Sequence, residues 1–155
     1  MPRTFRFLAA LFLAAPLVLP LGAGAQDMAA FAPLPAAEVS LPDFVWHKRP
    51  VVVFADSAAD PAFQEQMRSL EATWTDLAAR DVVIITDTDP AALTEVRRTL
   101  RPHGFSIVVI EKDGSVVQRK PTPRNGREIA QTIDKMPIRR EEIRNTPAMP
   151  NRVGG

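Results

Sequence analysis

Val51-Val52-Val53-Phe54-Ala55-Asp56-Ser57-Ala58-Ala59-Asp60-Pro61 joins an unbroken apolar run to a helix start. Four consecutive apolar residues without alternation suit a strand covered on both faces. Asp60-Pro61 supplies an N-cap followed by proline at the first helical position, where its missing N–H costs nothing. Phe63, Met67, Leu70, Trp74 and Leu77 follow at spacings of four, three, four and three, one apolar stripe on a helix of about five turns. Trp74 lies on that stripe and is expected to pack rather than bind.

The same grammar repeats toward the C-terminus. Val82-Val83-Ile84-Ile85 reads as a second buried strand closing at Thr86-Asp87. Asp89-Pro90 repeats the capped start, and Leu93, Val96 and Leu100 give the second helix its buried face, with Pro102 and Gly104 stopping it. Ile107 to Ile110 is a third buried strand. Lys112-Asp113-Gly114-Ser115 is a hairpin turn in which Asp-Gly supplies positive φ angles, and Val116-Val117 returns antiparallel. Asn125 and Glu128 stand at capping-box spacing. Ile129, Ile133 and Met136 face the core of a last helix ended by Pro137. Arg139 to Arg144 reads as a charged extension, and 145–155 as a disordered tail.

Upstream, residues 26–44 form an Ala- and Pro-rich arm in which Pro33, Pro35 and Pro42 oppose a helix. Its scattered apolar residues give it a means of docking, and Leu41 to Trp46 suits a short edge strand or a turn. Residues 1–25 carry Arg3 and Arg6, a short apolar run from Phe7 to Leu21 broken by Pro16 and Pro20, and Ala23-Gly24-Ala25. This is the pattern of a cleaved signal peptide; spanning a bilayer takes about twenty apolar residues. The expected product is exported, periplasmic or extracellular, with no membrane span left. Without Arg3 and Arg6 the formal net charge of +1 becomes −1, a balance that does not ask for nucleic acid.

The order is β-α-β-α-β-β-α. A helical crossover makes the first two strands parallel, and the hairpin makes the last two antiparallel. The expected fold is α/β and thioredoxin-like: a mixed four-stranded sheet with helices on both faces, its domain spanning 45–144. Proteins of that fold carry a reactive cysteine where the first central strand enters its helix. This chain has no cysteine at all, so thiolate chemistry at that junction is excluded.

Arg49-Pro50 before an apolar strand, the acidic loop that follows, Gly104-Phe105 at the entry to Ile107–Ile110, Glu111-Lys112-Asp113-Gly114, and Asp134-Lys135-Met136-Pro137-Ile138-Arg139 together resemble the DUF4174 family, domains of unknown function. The resemblance covers roughly 45–144. It implies a thioredoxin-like fold whose Gly-Phe-strand-hairpin section is similar to that of peroxiredoxins. Similar modules occur in exported bacterial proteins and in a vertebrate secreted matrix protein, and the vertebrate relatives imply, by analogy, matrix or adhesion roles. The family supplies no catalytic residues to carry over.

Candidate site residues each have two readings. Asp56, Ser57 and Asp60 stand where this fold does its chemistry, and a helix N-terminus favours an anion; Asp60 also caps those same amides, and two carboxylates oppose an anion. His103 lies beside the loop facing that junction and makes a Ser-His-Asp reading conceivable, but the glycines of a nucleophile elbow are missing around Ser57. Asp87-Thr88-Asp89 lacks calcium-loop spacing, and His47 has no visible metal partner, so no metal or other cofactor is expected. Arg119, Lys120, Arg124 and Arg127 form a basic cluster suited to anionic surfaces, yet interspersed glutamates make an ordinary solvated face the simpler reading. The leading expectation is a non-catalytic binding module for a protein or envelope component. A non-redox enzyme using the 55–60 loop and an adhesion module using the basic segment are the alternatives.

Overall fold

A computed structural model describes residues 30–147. The expectations for residues 1–29 and 148–155 fall outside it. Five strands form one mixed sheet: β1 (Leu34–Pro35), β2 (Arg49–Phe54), β3 (Val82–Asp87), β4 (Ser106–Ile110) and β5 (Val116–Lys120), in the order β1-β3-β2-β4-β5. β2 pairs with β3 in parallel and with β4 antiparallel, and β4 pairs antiparallel with β5. The expected count of four strands is one short. The fifth is part of the arm, where Leu34 and Pro35 pair in parallel with Ile85 and Thr86. Two residues, one of them proline, carry no alternation to read.

Side chains of successive strand residues point to opposite faces, so each apolar strand feeds two cores. On one face Val51, Val53, Ile84, Ile107 and Val109 meet Leu70, Leu77, Ile129 and Ile133 from the helices α1 (Pro61–Ala72), α2 (Trp74–Ala78) and α4 (Gly126–Asp134). On the other face Val52, Phe54, Ile85, Val108 and Ile110 meet Val96 and Leu100 of α3 (Glu95–Leu100). The arm completes this second layer with buried Ala36 and with Val39, Leu41 and Phe44 packed against it. Fully burying each such aliphatic side chain is worth about 1.5–3 kcal/mol, which is how a chain without disulfides supports a sheet covered on both sides. Trp74 packs on the first core, edge-on to Phe31 with ring centroids 5.6 Å apart.

Several helical boundaries differ from expectation. The long first helix breaks at Thr73, whose hydroxyl donates back to the Ser69 carbonyl, so that α1 and α2 share one stripe but not one axis. Asp89 caps only a single 3-10 turn, Pro90–Ala92. Leu93 then takes a left-handed backbone (φ 45°) and is exposed, not buried; α3 starts afresh with Thr94 capping the Arg97 amide. Of the two expectations for Leu41 to Trp46, the turn holds: Leu41–Phe44 is a 3-10 turn. Pro137 ends nothing. It is the first residue of α5 (Pro137–Asn145), which contains the stretch expected to be a mere extension. In the hairpin only Gly114 has positive φ (+87°): the Gly114 amide bonds the Glu111 carbonyl and the Glu111 amide bonds the Ser115 carbonyl, a three-residue loop with glycine in the left-handed place.

Candidate functional site

At the carboxyl end of β2 the chain spends its polar groups on its own backbone. The Asp60 carboxylate accepts the Ala62 amide at 2.8 Å, and Pro61 has no amide to offer. The Asp60 amide bonds the Ser57 carbonyl at 3.2 Å, closing the loop, while Asp56 and Ser57 are exposed. The helix terminus thus already holds a carboxylate of its own. Replacing Asp60 with alanine is expected to cost about 1 kcal/mol of stability, read by urea unfolding, as for other N-caps.

Beside this loop lies an ion pair that sequence reasoning did not anticipate. Asp87 ends β3 with its side chain 1% exposed. Arg97 Nη2 and Nε reach its Oδ1 at 2.7 and 3.0 Å, and the Thr94 hydroxyl donates to Oδ2 at 2.7 Å. Arg97 Nη2 also lies 3.3 Å from the Ala55 carbonyl, the first beyond β2, and the guanidinium sits 5.4 Å from the Phe54 ring centroid. Asp87 is therefore committed to arginine, not to a metal ion. Among the described residues no group of three or more His, Asp or Glu side chains is placed to hold a metal ion. His103 is exposed on the loop between α3 and β4, and no hydrogen bond joins it to Asp56, Ser57 or Asp60. An acidic residue closing an apolar strand, with arginine ten positions later, was the one signal for this pair.

The basic cluster divides. Arg119 and Lys120 are successive residues of β5 and face opposite sides of the sheet. Lys120 shares a shallow groove of about 250 Å³ with Arg124, Lys135 and Glu128, whereas Arg119 lines a different cleft. Arg124 is held through its backbone: buried Gln66 accepts the Arg124 amide at 2.7 Å and donates to its carbonyl at 2.9 Å. Its guanidinium reaches Glu128 at 4.0 Å, and Arg127 is exposed.

The strongest electrostatic feature lies at the opposite pole, around the amino end of β2. Arg49 is fully buried. Its Nε pairs with Glu111 Oε1 at 2.7 Å, Nη2 with Glu142 Oε1 at 3.1 Å, and Nη1 donates to the Arg80 carbonyl at 3.0 Å. Lys112 bridges Asp81 and Glu142, both at 2.7 Å. Arg80 grips Asp134 through two 2.8 Å contacts, and Arg139 reaches Glu142 at 3.3 Å. Four cations and four carboxylates thus tie β2, the hairpin and the α4–α5 corner together. Desolvation works against the Glu142 charge, but hydrogen bonds from Lys112 and Arg49 outweigh it and pull the carboxyl from 4.5 down to about 2. Arg80 holds the Asp134 carboxyl low in the same way.

A carboxyl whose folded pKa is depressed stabilises the fold above its unfolded pKa and loses that contribution as pH falls through the folded value. For Glu142 the window runs from about pH 4.5 to about pH 2. Urea unfolding across that window is expected to show falling stability, with a visibly shallower slope in Glu142→Gln.

Five charged residues from the stretches that carried the family resemblance, Arg49, Glu111, Lys112, Asp134 and Arg139, join Arg80, Asp81 and Glu142 in this network. A 2-Cys peroxiredoxin from Plasmodium vivax superposes with TM-score 0.53 at 15% identity, over 68% of this chain and 85% of that one. A chloroplastic thioredoxin z gives 0.52 at 18%, over 69% and 96%. A yeast mitochondrial 1-Cys peroxiredoxin gives 0.50 at 12%, over 70% and 100%. At such identities the likeness shows the thioredoxin-like fold and nothing of the chemistry. No curated protein sequence matches the chain. The model of the domain of unknown function DUF4174 matches residues 40–142, and the chain belongs to that family.

Proposed function

We propose that this protein is an exported, non-catalytic binding module that uses a thioredoxin-like scaffold to hold an envelope or extracellular partner, neither a nucleic acid nor a bilayer. The carrying observation is the state of the carboxyl end of β2. No cysteine is available, Asp60 caps the helix amides, and Arg97 is spent on Asp87 and the Ala55 carbonyl. A peroxidase or reductase needs a thiolate there. A hydrolase needs a nucleophile activated by a positioned base, and His103 is not hydrogen-bonded to Ser57. Support for export is the signal-peptide pattern of residues 1–25.

Affinity capture tests this reading, with the chain beginning near Gln26 as bait and envelope extract from its own source as prey. The expected result is a specific partner retained through washing. Failure to retain any partner, together with a genuine turnover activity, overturns the reading. Fractionation of cells expressing the full chain tests export separately: the mature form belongs outside the cytoplasm.

A further inference from the structure

β5 ends the sheet: one side pairs with β4, and among the described residues no strand pairs with the other. Natural edges are commonly guarded by bulges and by lysines. Here the register with β4 skips Val117, since Ile110 pairs with Val116 and Val109 with Gln118. That leaves Gln118 to Lys120 as regular edge, followed by Pro121, which has no amide to pair. Yet Val116 and Val117 are each 46% exposed at its entry. An edge of this form admits a short strand, not a second sheet.

The two faces flanking the edge differ. On one, Val116 and Arg119 line a cleft of about 420 Å³ whose apolar walls include Phe44, Leu100 and Ile110. Its charges are of both signs, Lys48 and Arg119 against Glu95 and Glu111, and select neither. On the other, Gln118 and Lys120 line the groove of about 250 Å³ shared with Arg124, Lys135 and Glu128. Three cations there face one carboxylate, and that one already stands 4.0 Å from Arg124. Lys120 and Lys135 have no carboxylate partner among the described residues. Side chains alternate along a strand, so a strand laid on β5 sends every second residue toward the apolar cleft and the others toward the cationic groove.

We propose that the free edge of β5 takes an extended segment of a protein partner in which apolar residues alternate with aspartate or glutamate. Main-chain hydrogen bonds hold the segment, and the alternation selects it. The apolar residues leave water at the cleft, and the acidic ones meet Lys120 and Lys135. A basic segment meets cations of its own sign, and so does a second copy of β5, which brings another Arg119 and Lys120 to the edge. This rests on the partner-binding reading and names the chemistry of the partner.

A fluorescein-labelled eight-residue peptide alternating valine and glutamate tests it, by anisotropy against the chain beginning near Gln26. Saturable binding is expected. A peptide alternating valine and lysine, and one with the same valines and glutamates in two blocks, should each bind about tenfold more weakly, the scale of two cross-strand charge pairs lost or reversed. Lys120→Glu/Lys135→Glu should turn the preference toward the lysine peptide. Lys120 is half-buried, Lys135 is exposed and neither is ion-paired, so this variant is expected to melt like the parent. Two further peptides, N-methylated at the valine amides or at the glutamate amides, read the main-chain pairing without altering the protein. One should lose binding and the other keep it, because only every second amide of a strand faces its neighbour. Equal affinity for the glutamate and lysine peptides, an unchanged preference in the double variant, or tolerance of both methylation patterns would overturn the proposal. A protein partner retained equally by parent and double variant, without peptide binding, would sink this inference and leave the partner reading standing.

Discussion

Replacing Arg49 with methionine is expected to destabilise the fold by about 3–5 kcal/mol in urea unfolding, the range for breaking a buried ion pair from one side. The cause is the group left behind. Glu111 is 3% exposed; it loses the 2.7 Å contact to Arg49 and keeps only the Lys112 amide at 2.9 Å. Glu142 suffers less, because it is partly exposed and retains Lys112 and Arg139. Lysine at position 49 is not an adequate substitute: one ammonium cannot serve Glu111, Glu142 and the Arg80 carbonyl from three separate nitrogens. The double variant Arg49→Met/Glu111→Leu removes both charges and is expected to recover most of the loss, since a buried pair is itself worth little against apolar packing. A double variant no more stable than Arg49→Met would show that the cost came from lost packing around the guanidinium and not from the abandoned carboxylate.

Gly126→Ala is the second large effect. The first residue of α4 lies against the α1–α2 break so closely that a Cβ would stand 1.8 Å from Thr73 Oγ1, 2.9 Å from Thr73 Cβ and 2.8 Å from the Ser69 carbonyl oxygen. The Gly126 amide also donates to the Ser69 hydroxyl at 2.9 Å, which pins the approach. Alanine must push α4 away from α1, and overpacking of this kind costs about 1–3 kcal/mol or somewhat more. Adding Thr73→Ala removes the nearest obstacle but leaves the Ser69 carbonyl and the Cβ at position 73, so partial recovery is expected. Thermal and urea unfolding of the three variants check this; a stable Gly126→Ala would mean that the two helices have room to part.

These two sites mark the limit of what could be read from sequence. The three buried strands were legible because β2, β3 and β4 are continuous apolar runs, and the caps at Asp60, Asp89 and Asn125 because short polar side chains before a helix have few other uses. The break at Thr73 was hidden by an apolar spacing that continues across it, from Leu70 through Trp74 to Leu77. Leu93 looked like a buried residue because it precedes Val96 and Leu100 at helical spacing, yet its left-handed backbone turns it to solvent. Arg49 follows His47-Lys48 and reads as one more surface charge; its burial depends on Glu111, 62 residues away, and on Glu142 beyond that. Periodicity reports which face of an element is covered. It does not report which distant charges meet. Arg49, Glu111, Lys112, Asp134 and Arg139 lie within the stretches that carried the family resemblance, and only the fold brings them together.

The functional reading stands on the carboxyl end of β2 serving as architecture. Its most direct measurement is steady-state turnover of peroxide, disulfide and model ester substrates by the purified chain beginning near Gln26, with Asp60→Ala and His103→Ala alongside. Background rates for all three proteins are predicted. A rate well above background in the parent, lost on substituting Asp60 or His103, would contradict the account.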